Sequence, residues 1–134
     1  MTAVRRLTLT PELIQAYSRR GNYHSDPETA RELGLPGLVA QGVQVAGPAY
    51  GECLDTWGEE FLAHGEFECR FVGMVTDGQT VEARVEFDGD TATFTVENKT
   101  SGRTSVVGRA SRAAAPTKEA QRGKGPSGRG AERR

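Results

Sequence analysis

The chain has 134 residues, 36% hydrophobic and 26% charged, with a formal net charge of −1. That allows one small core and no second, and no apolar run approaches the roughly 20 residues that cross a bilayer. Charge is uneven, since residues 1–115 carry eleven Lys/Arg against sixteen Asp/Glu and residues 116–134 carry six against two. An acidic body with a basic tail that has no aromatic residue for stacking on bases argues against a nucleic-acid partner. The expected division is a folded domain over 1–115 and a disordered basic tail over 116–134, where no large apolar residue offsets the entropy of ordering.

The opening residues, Met1 to Arg6, reach polar side chains at once, without the apolar stretch of a secretory signal. Cys53 and Cys69 lack the spacing of a metal knuckle or a CxxC pair and read as reduced, buried side chains. Both features suggest a cytoplasmic protein.

In chain order, Thr10 followed by Pro11 and Glu12 reads as a helix start, with an apolar stripe of Leu13, Ile14 and Tyr17 that ends near Gly21. A second short helix starts after Ser25 or Asp26, with Pro27 in its first turn, and Gly34 stops it. From Gln41 to Trp57, Val43, Ala46, Tyr50, Cys53, Leu54 and Trp57 recur at helical spacing, with Pro48 as a point of bending. Gly42, Gly47 and Gly51 would let that helix lie close to a sheet. His64 falls in a Gly-flanked loop and should be exposed. Thereafter the period changes to two. Phe67, Cys69 and Phe71 alternate with charged residues, as do Val81, Ala83, Val85 and Phe87. Turns at Asp88-Gly89-Asp90 and Ser101-Gly102 separate two further strands, Thr91 to Lys99 and Thr104 to Ala113. The expected class is α+β, a single domain in which at least four antiparallel strands wrap one long apolar helix.

The densest chemistry lies in Asn22-Tyr23-His24-Ser25-Asp26-Pro27 and, after a Gly/Pro turn, Gln41-Gly42. A titratable imidazole and the open amides of a helix N-terminus in one local unit can move a proton beside a polarised carbonyl. Two histidines without companions at ligand spacing, no Ser/His/Asp series and no phosphate-binding glycine loop leave no metal and no cofactor expected.

Three segments carry a family resemblance. His24-Ser25-Asp26-Pro27-Glu28-Thr29-Ala30 fits H-x-D-P-x-x-A without a gap, Gly34-Leu35 and Gln41-Gly42 fit the next block, and Arg70-Phe71 with Val75, Gly78 and Thr80 fit the last. In this order, over residues 10–112, they resemble the MaoC-like (R)-specific enoyl-thioester hydratases of hot-dog fold. The resemblance implies that His24 transfers the proton, that the Gly42 amide binds the thioester carbonyl, and that a homodimer forms with the pocket at its interface.

One position departs from the pattern. The aspartate that the family places five residues before its histidine is Arg19 here, and a guanidinium stays protonated near neutral pH. Arg19 could stabilise an oxyanion or carboxylate, and Arg20 could reach a phosphate of the acyl carrier; a surface role competes for each. Asn22 orients His24 or a water, or only makes a turn. Gln41 and Tyr23 are placed against substrate, with packing the competing role for Tyr23. The reading is a hydro-lyase acting on an acyl thioester or related carbonyl compound. Its alternatives are a specialised biosynthetic hot-dog enzyme carrying out dehydration, cyclisation or isomerisation, and a noncatalytic acyl-ligand binder.

Overall fold

A computed structural model of the chain describes residues 1–17 and 22–113. Arg19, Arg20 and the tail expected over 116–134 lie outside the described residues. Five antiparallel strands form one sheet in the order β1-β3-β4-β5-β2, namely β1 (Thr2–Thr8), β2 (Glu66–Phe71), β3 (Thr80–Asp88), β4 (Thr91–Asn98) and β5 (Arg103–Ser111). The sheet folds over the long helix α3 (Gly42–Trp57), which touches all five strands. Shorter helices complete the fold, α1 (Pro11–Tyr17), α2 (Pro27–Glu32) and α4 (Glu59–His64), the last packed against α3. This is the expected α+β domain with an antiparallel sheet wrapped around a long central helix.

The alternation of β3 and β4 explains the core. Val81, Ala83 and Val85 face inward with Ala92, Phe94 and Val96 and meet Val45, Ala46, Ala49 and Cys53 of α3. Burial raises the Cys53 thiol to about 12, with the nearby Glu52 charge adding to the effect. At the C-terminal end of α3 the aromatic rings interlock. Trp57 packs edge-on to Phe87 at 5.2 Å, Tyr50 meets Phe61 and Phe67, and Phe67 stacks on Phe94 at 4.8 Å.

The punctuation of the short helices holds. Thr10 Oγ1 accepts the Leu13 amide at 3.1 Å and so caps α1. Asp26 caps α2 through the Glu28 amide, with Pro27 in the first turn. Gly34 ends α2 at φ +79°, a conformation that costs a residue with a Cβ. The α3 helix runs through Pro48 without a break.

Beyond the four strands read from the sequence, the N-terminal segment forms a fifth, β1, whose inward-facing positions are Ala3, Arg5 and Leu7. Four expectations need correction. His64 ends a helix rather than sitting in a loop, and it is exposed. In α1 only Ile14 is buried, whereas Leu13 and Tyr17 face solvent, because a helix of seven residues, about two turns, presents too narrow a stripe. In α3 Ala46, Tyr50, Cys53, Leu54 and Trp57 pack in or against the core as expected, but the buried face also takes in Val45, Pro48 and Ala49 and leaves Val43 exposed, so the stripe is broader than the expected one. Cys53 is buried but Cys69 only half so, and neither forms a disulfide.

Candidate functional site

The site assembles around a hairpin-like contact between two loops. The Val39 amide donates to the Tyr23 carbonyl at 3.3 Å, and the Val39 carbonyl lies 2.5 Å from His24 Nδ1. A carbonyl oxygen can only accept, so Nδ1 carries the hydrogen and Nε2 is the basic nitrogen of the neutral ring. Behind the ring, Asn22 Oδ1 accepts the His24 amide at 2.9 Å, and the Asn22 carbonyl accepts the amides of Ser25 and Asp26. Asn22 therefore makes the turn and holds the backbone that carries the imidazole. The Tyr23 ring lies on the imidazole at a centroid distance of 4.1 Å.

Val39 is itself anchored. It forms an antiparallel bridge to Thr76, flanked by Ala40 N to Val75 O at 2.8 Å and Asp77 N to Leu38 O at 3.0 Å. Asp77 Oδ1 in turn accepts the Leu38 amide at 3.1 Å. Asp26 does not take the place of the carboxylate absent at position 19. Its two oxygens are engaged by the Glu28 amide and the Thr29 hydroxyl, at 3.1 and 2.9 Å.

A cavity of about 360 Å³ opens beside the imidazole, walled by Tyr23, His24, Ala40, Gly42, the 71–75 segment and Ser105-Val106. Gly42 is the first residue of α3, where backbone amides have no carbonyl within the helix to pair with and the helix dipole is positive. A Cβ at Gly42 would stand 2.6 Å from the Phe71 ring, so the half-exposed Phe71 lies directly over this end of the helix. A larger hollow of about 740 Å³ runs along β2, β4 and β5 and is bordered by Glu66, Glu68, Asp90 and Arg109. It contains neither an imidazole nor a helix N-terminus, and the chemistry points to the smaller one.

His24, Tyr23 and Gly42 thus meet in one cavity, with Asn22 directly behind His24. Gln41 adjoins it without forming its wall; its carbonyl accepts the Val45 amide at 3.1 Å and its side chain makes no capping bond. Ser105 and Val72 to Met74 also form the wall, and no periodic signal singles them out. Among the described residues no group of three or more His, Cys, Asp or Glu is placed to hold a metal ion.

A MaoC-like domain model matches residues 1–108. The chain belongs to the MaoC-like domain family. Membership makes it a protein of the hydratase/dehydratase type. No curated protein matches the sequence. Solved structures of similar fold include the unliganded (R)-hydratase PhaJ1 from Pseudomonas aeruginosa, at 16% identity and a TM-score of 0.68 over 82% of this chain and 77% of that one. The (R)-hydratase of A. caviae, involved in PHA biosynthesis, aligns at 19% identity and a TM-score of 0.63 over 82% and 91%. The ChsH1-ChsH2 complex from Mycobacterium tuberculosis aligns at 15% and 0.63 over 83% and 94%. This MaoC-like chain therefore has the hot-dog fold.

Proposed function

We propose that the protein hydrates 2-enoyl thioesters, or dehydrates the corresponding 3-hydroxyacyl thioesters, with His24 as the proton-transfer group. The observation that carries this reading is the Nδ1 bond to Val39, which assigns the basic nitrogen to Nε2 in a ring that borders the same cavity as Gly42. In hydration, water adds to the β-carbon and gives a proton to Nε2. The alkene electron pair moves onto the thioester oxygen, where the Gly42 amide stabilises the enolate. The imidazolium then delivers that proton to the α-carbon, so one water is added in total and the ring returns to its starting state. A single base suffices for this cycle, which suits a chain with Arg19 in the carboxylate's place. Arg19 and Arg20 are proposed to face the anionic parts of the substrate and its carrier.

The proposed partner is a second copy of the chain. Support comes from the exposed apolar residues Tyr23, Phe71, Val72 and Met74 at the cavity mouth, which a homodimer interface would cover. Two cysteines outside any disulfide fit a reducing, cytoplasmic setting.

Hydration of crotonyl-CoA by the native protein and by His24→Ala tests the reading. A loss of about 10²–10⁴-fold is expected for the variant, and native turnover that survives it unchanged would end the proposal. Arg19 favours a second reading, a proton-transfer reaction other than hydration on a related carbonyl compound. Arg19→Asp separates the two, since a gain in hydration would identify the missing carboxylate as the limit on ordinary hydratase activity.

A further inference from the structure

Ser105 is a buried polar group, bordering the cavity, that neither the fold nor the proposed cycle uses. It is 1% exposed, and among the described residues its hydroxyl has no hydrogen-bond partner. A buried hydroxyl without a partner is costly, and native structures rarely retain one without a reason. Its position has a distinct origin. Val96 pairs with Val106 while Glu97 pairs with Thr104, so the β4–β5 ladder skips Ser105, the extra residue of a bulge. Bulges turn a side chain away from the regular alternation, and here Ser105 and Val106 are consecutively buried where a regular strand would bury only one.

The bulge is held from the cavity side. The Ser105 carbonyl accepts the Val72 amide at 2.8 Å and the Gly73 amide at 3.2 Å. At Gly73 a Cβ would stand 2.5 Å from the Thr104 carbonyl oxygen, so only glycine permits this approach. Residues 72 and 73 continue from Phe71, whose ring lies over Gly42, and Ser105, Gly42 and His24 border the same cavity.

We infer that Ser105 is a second donor for the substrate's carbonyl oxygen, its hydroxyl binding the thioester oxygen alongside the amide that begins α3. The inference rests on the acyl-thioester reading above and extends it to a residue of the cavity wall supplied by β5. The hydroxyl is left unpaired in the free protein because its partner is the ligand.

The experiment compares native protein, Ser105→Ala, Ser105→Cys and His24→Ala in three measurements. These are calorimetric binding of butyryl-CoA, binding of the thioether S-butyl-CoA, which lacks the carbonyl, and the thermal midpoint. Ser105→Ala is expected to weaken butyryl-CoA binding about tenfold, to leave the thioether unaffected, and to keep or raise the midpoint, because it removes an unsatisfied group. Ser105→Cys, a poorer donor of similar size, should fall between native and alanine. Equal weakening toward both ligands, no weakening at all, or a lowered midpoint would overturn the inference, the last by showing that the hydroxyl supports the fold instead. His24→Ala separates this inference from the parent reading, since it should lower turnover by about 10²–10⁴-fold and keep the preference for thioester over thioether. If the native protein binds the thioester through Ser105 but hydrates no enoyl thioester, the hydration reading falls and the Ser105 assignment stands. If hydration depends on His24 and Ser105→Ala binds and turns over as native, the reverse holds.

Discussion

At position 42 a missing side chain is what the site requires. Gly42 heads α3 in the cavity wall with the Phe71 ring directly over it, and a methyl group there would enter that ring at 2.6 Å. Gly42→Ala is expected to lower stability by about 1–3 kcal/mol through overpacking and hydration activity by at least about tenfold through displacement of the ring into the cavity. Phe71→Ala should relieve the stability cost. Alanine is intrinsically the better helix former, so in that background Gly42→Ala should be neutral or slightly stabilising. Urea unfolding of the four proteins of this cycle measures the coupling, and strict additivity would show that the ring and the glycine are independent.

At the scale of elements, β1 is joined to α3 by an inward-facing arginine. Arg5 Nε lies 2.8 Å from Glu52 Oε2, and its guanidinium also bonds Asp55, while its Nη1 occupies the space that a side chain at Gly51 would fill. Both carboxylates raise the Arg5 pKa, the Asp55 bond most strongly and burial opposing them. The side chain is 38% exposed, so solvent screens the pairs, and Arg5→Ala is expected to cost about 1 kcal/mol in urea unfolding. An unchanged midpoint would leave Leu7 and the backbone ladder to hold the strand.

The same residue explains why β1 was not legible in the sequence. Alternation is read as apolar against polar, and here the charged Arg5 faces the helix while Val4 faces solvent at 46% exposure. By contrast, β3, β4 and the capped helices were readable because their buried positions are apolar and their ends carry Thr10, Asp26, Gly34 and Gly89. The site divides in the same way. His24 and Gly42 stand in a contiguous motif, whereas Ser105 enters the cavity through a bulge, which depends on the register of two strands and leaves no period in either.

For the molecule as a whole, the sheet's edge is held by a charge cluster on the face away from the core. Glu82 of β3 lies 2.7 Å from Arg6 Nε on β1, 3.8 Å from Arg84 and 4.0 Å from Lys99. Glu97 is opposite it across the β4 ladder, with Lys99 3.6 Å from that carboxylate as well. The Arg6 hydrogen bond is the largest influence holding the Glu82 carboxyl below the usual range, against an opposing contribution from burial, and the other two cations act in the same direction. A depressed folded-state pKa means that the unfolded chain takes up the proton first. The stabilisation is therefore complete above the unfolded glutamate value of about 4.3, and it is lost as pH falls through the lower folded value. Thermal midpoints of native protein and Glu82→Gln should accordingly differ most near neutrality, with native the more stable, and should converge as the pH drops below about 4. Because the pairs are electrostatic and partly open to solvent, the neutral-pH difference should also shrink in 1 M salt, where the screening length is about 3 Å. A difference that persisted undiminished into acid would mean that Glu82 supports the β1–β3 edge by packing rather than by charge.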